Sequence, residues 1–291
     1  YSRREREFYG FQTVVVREHD TQAPDAPVYR ETIRTHDVAG YYTKGLLRST
    51  ELRDATGQLW KRTEHAYVLR GAGGNQLPSS FNTSNDNGWA FPALEQTVET
   101  SYEPPVGDAL QRTYSFVHDA LGNVTSYTDA TNGGSSTVVA SIEYHPPGNS
   151  YIADTPRRIM VTADSLRRHR EQDRDAQGNI TAIRQYINDS EFTLHSFTYD
   201  VYGNIASVTR PANHQGDGLQ FQYEYDEAVK TYAKRVVDSY GYDTKSECDP
   251  KFGELLWTED INAQRTTYRL DLRGRVVKVI GPLEDPDDPS A

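Results

Sequence analysis

A repeated five-residue pattern constrains this chain more than any other feature of its sequence. The pattern is Asp, two variable residues, Gly, and then Asn, Gln or Arg, and it occurs five times. Asp is favoured at the first position of a type I turn, where its carboxylate accepts backbone N–H bonds, and Gly at the fourth, where the backbone becomes left-handed. Each copy therefore predicts a tight turn between two strands. The copies contain Asp54 and Gly57, Asp119 and Gly122, Asp175 and Gly178, Asp200 and Gly203, and Asp271 and Gly274.

Three further copies, each with one departure, fill the gaps between these turns. One lacks the glycine, one has an additional residue, and one has alanine in place of glycine. When these copies are included, four turns in the C-terminal half are 26, 23 and 22 residues apart. Such a period is typical of solenoids and strand arrays. The departing copies begin at Asp226, at Asp249 (with Gly253) and at Asp260 (with Ala263).

The segments between the turns have the periodicity of strands. Polar and apolar residues alternate in segments rich in Val, Ile, Thr, Tyr and Phe, which predicts half-buried strands. The best helical candidate, 164–174, has almost no apolar face. The sequence therefore predicts an all-β fold, with one repeat segment over 1–281 and an acidic, proline-rich tail or link over 282–291. Clear strand segments are 11–17, 137–144, 192–199 and 219–225, and long hairpin loops are expected within 71–87 and 128–136.

Composition excludes several classes of function. The formal net charge is −11, which argues against generic nucleic-acid binding and against attraction to anionic lipid. No run of 18 apolar residues exists, so we expect no membrane-spanning helix and no direct membrane insertion. A single cysteine, Cys248, excludes an internal disulfide and a multi-cysteine metal site. Because Met160 is the only methionine, we expect the chain to be a processed product or a piece of a longer protein.

Each candidate for catalysis or metal binding has a simpler structural explanation. The repeat carboxylates are expected to cap turns, because the glycine three residues later accounts for the same pattern. Residues 173–179 begin like a calcium loop, but Arg184 stands where a bidentate Glu is needed. No base near Cys248 would activate its thiol. The eight His have no zinc-site spacing, Ser84, Ser101 and Ser165 have no nucleophile-elbow context, and 71–74 does not continue into a phosphate-binding helix.

Two surface features leave a binding role open. Five arginines between Arg157 and Arg170 form the one dense basic cluster, which suits an acidic partner or, more simply, a solvated strand end. The 20 tyrosines suit either a carbohydrate platform or a sheet in which each ring is buried and each hydroxyl is wet. We expect no cofactor and no metal. The cluster comprises Arg157, Arg158, Arg167, Arg168 and Arg170.

The repeats resemble the YD repeats of the RHS superfamily. The units at 199–204 and 268–276 carry this resemblance. The opening segment 3–11, the later 41–45, and the order of 248–253 and 258–262 before the last unit are similar to the B component (SpvB/TcB type) of bacterial Tc insecticidal toxin complexes. The resemblance covers essentially the whole chain. Recognisable β-propeller sequence and the self-cleaving core motif of the C components are both lacking.

This resemblance implies an architecture and a function. In the family, YD strands form an antiparallel, spiralling, solenoid-like sheet that closes into a hollow shell. An RHS-type C component completes the shell, which encloses the toxic region of that component, and a propeller elsewhere in B docks on the membrane-inserting A component. The chain would then be a shell-wall segment of a secreted, extracellular bacterial toxin-delivery protein, acting through a larger parent. The departures at Asp226, Asp249 and Asp260 leave the register of individual strands open.

Two other classes of function remain. YD repeats also occur in adhesins and teneurins, so the chain could be a surface adhesin that binds glycan through its tyrosines. An enzyme is the weakest hypothesis, since no nucleophile, acid–base pair or metal set stands out in the sequence. We therefore expect that the chain is not an enzyme.

Overall fold

The computed structural model describes residues 8–78, 81, 89–103, 109–132, 137–147 and 152–284. All of its regular elements are nineteen β-strands, so the predicted all-β class is confirmed. The candidate helix 164–174 is instead a turn followed by a strand, and its first residue, Asp164, has a φ of 51°. Within the described ranges no helix is long and apolar enough to cross a membrane.

Contacts divide the chain into two units, with the boundary inside the tenth strand after His169. Residues up to 147 and 153–169 belong to the first unit, and residue 152 and those from Arg170 belong to the second. The repeat segment predicted over 1–281 therefore runs through both units. Of the predicted tail 282–291, residues 285–291 lie outside the described ranges, as does most of the opening motif 3–11.

The first unit is a meander in which each strand pairs antiparallel with the next, from β1 to β9. The two longest strands, β4 and β5, have 13 residues each and pair over eleven positions. The strands are β1 (Thr13–His19), β2 (Val28–His36), β3 (Leu47–Asp54), β4 (Leu59–Gly71), β5 (Ala90–Tyr102), β6 (Ala109–His118), β7 (Val124–Thr131), β8 (Val138–Tyr144) and β9 (Pro156–Ala163).

The second unit has shorter strands and the same antiparallel order from β11 to β19. Strand β10 (Leu166–Arg174) crosses the boundary between the units. The remaining strands are β11 (Ile180–Tyr186), β12 (Phe192–Tyr199), β13 (Ile205–Ala212), β14 (Gly218–Tyr225), β15 (Ala233–Asp238), β16 (Asp243–Cys248), β17 (Leu255–Glu259), β18 (Arg265–Leu270) and β19 (Val276–Ile280).

The chain buries very little apolar surface. Among the described residues, only Ala93 and Ile280 are buried hydrophobic side chains. Within each unit, the element contacts of the described residues are between neighbouring strands. The strands are therefore held mainly by backbone pairing, cross-strand side-chain contacts and turns.

Candidate functional site

The repeat turn is the element that organises the molecule, and the turn at Asp200 shows its geometry. The N–H of Asp200 donates to the carbonyl of Asn204 at 2.9 Å, and the N–H of Gly203 donates to the carbonyl of Asp200 at 3.2 Å. One carboxylate oxygen of Asp200 accepts the N–H groups of Tyr202 and Asn204, and the other accepts the Asn204 amide at 3.0 Å. Every polar group of the first residue of the turn is therefore hydrogen-bonded within the turn.

Five of the six Asp–Gly pairs singled out in the sequence occupy this turn, and Asp249 and Gly253 occupy a version that is one residue longer. Each glycine has a φ between 74° and 97°, in the left-handed region that disfavours a side chain. Each Asp carboxylate accepts two backbone N–H bonds from its own turn. The pairs are Asp54 and Gly57, Asp119 and Gly122, Asp175 and Gly178, Asp200 and Gly203, Asp249 and Gly253, and Asp271 and Gly274.

The other two departing copies keep the turn by different means. Ala263 adopts the left-handed conformation with a φ of 59°, and the carboxylate of Asp260 still accepts two turn N–H groups. The loop at Asp226 is longer, and Lys230 supplies its left-handed residue with a φ of 57°. The Asp226 carboxylate accepts four backbone N–H bonds, which hold its pKa well below the usual range. The carboxylate, rather than the glycine, is thus the common feature of these two turns.

Two turns of the same geometry were missed by the sequence pattern. Gly216 and Gly241 have φ values of 92° and 86°, and the first residues of their turns are Asn213 and Asp238. In one turn Asn replaces Asp at the first position, and in the other Tyr242 replaces the polar fifth residue. A pattern of Asp or Asn, two residues and Gly would have found both.

Hydrogen bonding lowers the pKa of several turn carboxylates. The side chains of Thr56 and Trp60 donate to Asp54 and lower its pKa to about 2. The Asn179 side chain lowers the pKa of Asp175, and the backbone N–H and guanidinium of Arg275 lower the pKa of Asp271. Burial opposes ionisation of Asp200, but the bonds from Asn204 and the turn backbone outweigh it and lower the pKa. These carboxylates are therefore ionised turn caps at neutral pH.

The turns that follow even-numbered strands lie on one edge of each unit, because antiparallel hairpins alternate between two edges. We call this edge the stacked edge and the other the opposite edge. In the second unit the stacked edge carries the turns at 175–179, 200–204, 226–232, 249–254 and 271–275. These turns recur every two strands, which explains the period of 22 to 26 residues in the sequence.

Tyrosine hydroxyls tie neighbouring hairpins together along the stacked edge. Tyr199 and Tyr225 immediately precede the turns at Asp200 and Asp226. Their hydroxyls donate to the carbonyls of Ile180 and Ile205, each the first residue of the neighbouring strand, at 2.7 and 3.0 Å. Tyr144 makes the same bond to Val124 in the first unit at 2.9 Å. Burial raises the pKa of all three phenols, and the preceding turn Asp adds to the effect.

Two glycines on the stacked edge of the second unit, Gly253 and Gly274, also make room for side chains of neighbouring turns, whereas a methyl group on Gly203 would meet nothing within 4 Å. A methyl group on Gly274 would lie 2.4 Å from the Phe252 ring, and one on Gly253 would lie 2.8 Å from the Tyr232 hydroxyl. The amide of Asn204 donates to the carbonyl of Lys230 in the next loop at 2.6 Å. Each of these contacts joins two successive turns of the stacked edge. Glycine at 253 and 274 is therefore required by packing as well as by φ.

Turns on the opposite edge are self-contained. A methyl group on Gly57, Gly216 or Gly241 would meet nothing within 4 Å. This edge is also where Ala263 replaces glycine and Asn213 replaces Asp. Without a neighbouring turn to accommodate, these positions have only their own backbone conformation to satisfy.

One face of the second unit carries a row of paired charges that we call the charged ladder. Glu224, Arg235, Lys245, Glu259 and Arg265 are successive register partners across β14 to β18. Arg235 lies 2.9 Å from Glu224, Lys245 lies 2.9 Å from Glu259, and Arg265 lies 3.4 Å from Glu259. Hydrogen bonds to Asp243 and Glu224 raise the pKa of Arg235, and the bond between Lys245 and Glu259 raises the pKa of the former and lowers that of the latter. On the opposite face of β12 to β14, Phe197, Val208 and Phe221 are in register.

The calcium loop, the cysteine and the metal ligands were further candidates in the sequence. Arg184 pairs with Asp173 at 2.6 Å, so a cation in the suspected calcium loop would compete with a guanidinium. Burial raises the pKa of the Cys248 thiol, as do the carboxylates of Asp226 and Glu254, which disfavours the reactive thiolate. Within the described ranges no three His, Cys, Asp or Glu side chains are arranged to hold a metal ion. Ser84 lies outside those ranges.

The arginine cluster lies on two adjacent, paired strands. Arg157 pairs with Glu143, and Arg158 contacts Glu143 and donates to the buried His169 at 3.1 Å. Arg157 and Arg158 are in β9, whereas Arg167, Arg168 and Arg170 are in β10.

Comparison with known proteins finds one relative in sequence and several solved structures of similar fold. No family model matches the chain. The chain is 25% identical over 237 residues to the toxin protein Tse5 of Pseudomonas aeruginosa. The matched region covers 73% of this chain and 17% of Tse5.

Solved structures give a stronger match in fold. Crystal structures of TcdB2–TccC3, alone and with Cdc42, match with a TM-score of 0.69 at 12% identity, over 96% of this chain and 21% of theirs. A Tc holotoxin pore from Photorhabdus luminescens matches with a TM-score of 0.70 at 11% identity. The chain spans about a fifth of the length of these structures. The chain thus has the antiparallel strand fold of the Tc B–C structures and resembles RHS proteins of the Tc B type.

Proposed function

We propose that this chain is a segment of a shell wall that, with an RHS-type C component, encloses a cytotoxic effector for delivery. The observation that carries the proposal is the run of consecutive antiparallel strands, regular turns and sparse core, which matches TcdB2–TccC3 over 96% of the chain. A single sheet that leaves both faces open is suited to enclosing a space rather than building a globular core.

The mechanism of such a wall is confinement. Backbone hydrogen bonds between neighbouring strands leave no gap through which a polypeptide could pass. The turns and tyrosine bonds of the stacked edge fix each hairpin relative to the next. The wall needs no catalytic step of its own, so we propose that the chain is not an enzyme. Secretion and the indirect link to a membrane-inserting A component follow from the same proposal.

The open faces predict how the isolated chain behaves. Terminal strands present unpaired N–H and C=O groups, and the last strand exposes Val276, Val277 and Val279 by about half. We therefore expect the isolated 291 residues to be oligomeric or prone to aggregation, which light scattering after size-exclusion chromatography would measure. A stable, monodisperse monomer would contradict a bare wall segment.

Protease protection tests the enclosure itself. The full polypeptide would be co-expressed with an RHS-type C component, and the toxic region would be followed by immunoblot during trypsin digestion. We expect the region to be protected in the wild type and digested in Val236→Pro, because proline removes a ladder hydrogen bond from β15.

A matched control uses the turn tip. Val201→Pro places proline at the second position of a turn, where it is favoured, on a side chain that is 92% exposed. Protection should survive this change. Equal digestion of wild type and Val236→Pro, whether both are protected or neither is, would contradict the proposal.

A further inference from the structure

A groove beside the charged ladder is the strongest unassigned feature of the molecule. It encloses about 500 Å³ in the second unit, next to the loop 226–232. Small-molecule sites usually occupy about 300–1,000 Å³. Its apolar wall includes Trp257, Tyr232 and Pro250, and its rim includes Lys245 and Glu247. The groove is therefore large enough for a small ligand and has both apolar and polar surfaces.

Trp257 is held in a fixed position. Its indole N–H donates to Glu247 at 2.7 Å, and the guanidinium of Arg265 lies 3.8 Å from the ring centroid. Trp257 lines the groove, whereas Arg265 is not among its lining residues. A ring fixed at its edge and on one face offers its other face as a preformed stacking surface.

The charges around the groove are all satisfied within the protein. Glu224 pairs with Arg235, Glu227 with Lys234, and Lys245 with Glu259 outside the groove. The Asp226 carboxylate is occupied by four backbone N–H groups, and Glu247 accepts the Trp257 indole. The groove is lined by four carboxylates and three cationic side chains, and Glu247 is hydrogen-bonded to a neutral indole, so an anionic ligand would meet an excess of negative charge. The rim can still hydrogen-bond to hydroxyl groups, because paired ammonium and carboxylate groups retain spare donors and lone pairs.

We propose that this groove binds a neutral glycan, with a pyranose ring stacked on Trp257. A pyranose has an apolar C–H face for the indole and a periphery of hydroxyls for the rim, and it carries no charge that would disturb the ladder. This binding function is additional to the wall and does not depend on it. The other occupant of similar shape, an apolar peptide side chain, is an outcome of the test below.

The test measures binding of neutral and sialylated oligosaccharides to the purified full chain, on a glycan array and then by tryptophan fluorescence titration. We expect saturable binding to a neutral glycan and loss of binding when the same glycan is sialylated. Trp257→Ala should weaken binding by about tenfold or more. Trp60→Ala is the matched control, because Trp60 also donates its indole N–H to a carboxylate, Asp54 at 2.9 Å, but does not line the groove.

A second variant keeps the test informative if Trp257→Ala fails to fold. Ala228→Trp adds bulk to an exposed residue that lines the groove, leaves Trp257 in place, and should also abolish binding. Circular dichroism would verify the fold of each variant. Absence of binding to every glycan, equal binding by Trp257→Ala and wild type, or binding only to an aromatic peptide would each overturn the proposal.

Discussion

The two edges of the second unit use the same turn under different constraints. On the stacked edge, Gly253 and Gly274 lie against aromatic side chains of neighbouring turns. On the opposite edge, Gly216 and Gly241 have free space around them, and Ala263 takes the glycine position of a third turn. The turns at Gly253 and Gly274 are therefore restricted by packing against the next turn as well as by backbone conformation. The turns at Asn213, Asp238 and Asp260 on the opposite edge recur at similar intervals, 25 and 22 residues.

The largest expected difference between the edges is in the loss of stability when a turn glycine is replaced by alanine. Gly274→Ala places a side chain on a residue with left-handed backbone conformation, where it also clashes with Phe252. The change should lower the free energy of unfolding by about 2–4 kcal/mol. Gly241→Ala has only the conformational cost of about 1–2 kcal/mol. Urea midpoints followed by circular dichroism would compare the two. Phe252→Ala should reduce the cost of the first change, and equal costs without that rescue would contradict the stacking of turns.

At the first position of a turn, the hydrogen-bond acceptor should contribute more to stability than the negative charge. Asp200→Ala removes two backbone N–H bonds and one amide bond, and should cost about 1–2 kcal/mol. Asp200→Asn should cost much less, because Asn213 makes the two equivalent backbone bonds in its own turn. Thermal unfolding of both variants checks this, and an Asn variant as unstable as the Ala variant would show that the charge is needed.

Each tyrosine hydroxyl bond of the stacked edge should contribute to the stability of the folded chain. Tyr199→Phe removes the donor to the carbonyl of Ile180 and should destabilise by about 1 kcal/mol. Tyr240→Phe is the control on the opposite edge, since that side chain is 76% exposed. The same urea titration would detect the difference, and a loss of equal size in both variants would rule out a specific role for the Tyr199 hydroxyl.

Ala263→Gly should be stabilising. Alanine at a φ of 59° carries a left-handed cost that glycine avoids, so a gain of about 1 kcal/mol is expected. Ala206→Gly, within strand β13, should instead destabilise by about 0.5–1 kcal/mol. A destabilising Ala263→Gly, measured by the shift in melting temperature, would mean that a contact of the methyl group holds this turn.

Acid should weaken the turn at Asp54. Its pKa of about 2 lies below the unfolded value of about 3.9, so the ionised carboxylate stabilises the folded chain above pH 4. That stabilisation is lost as the pH falls from 4 towards 2. The carboxyl resonance of Asp54 should titrate near pH 2 by NMR, and a midpoint near 4 would contradict its bonds to Thr56 and Trp60.

Local features of the sequence predicted much of this structure. Asp and Gly at fixed spacing specify a turn through bonds within five residues, so the all-β class and five turn positions follow directly. The alternation in 192–199 and 219–225 likewise matches β12 and β14. The turns at Asn213 and Asp238 were missed because the pattern required Asp first and Asn, Gln or Arg fifth.

Contacts between turns could not be predicted in this way. Phe252 and Gly274 are 22 residues apart, and they meet only because two intervening strands return the chain to the same edge. The groove at Trp257 depends on the register of β15, β16 and β17 and on the conformation of the loop at Asp226. That register was left open by the sequence, because the departing turns lie among these strands.

Electron microscopy of the full polypeptide, co-expressed with an RHS-type C component, tests the central claim most directly. The wall proposal predicts a hollow particle with protein density inside it and with these strands in its wall. A solid or elongated particle without a cavity would contradict the proposal and would favour a glycan-binding surface adhesin instead.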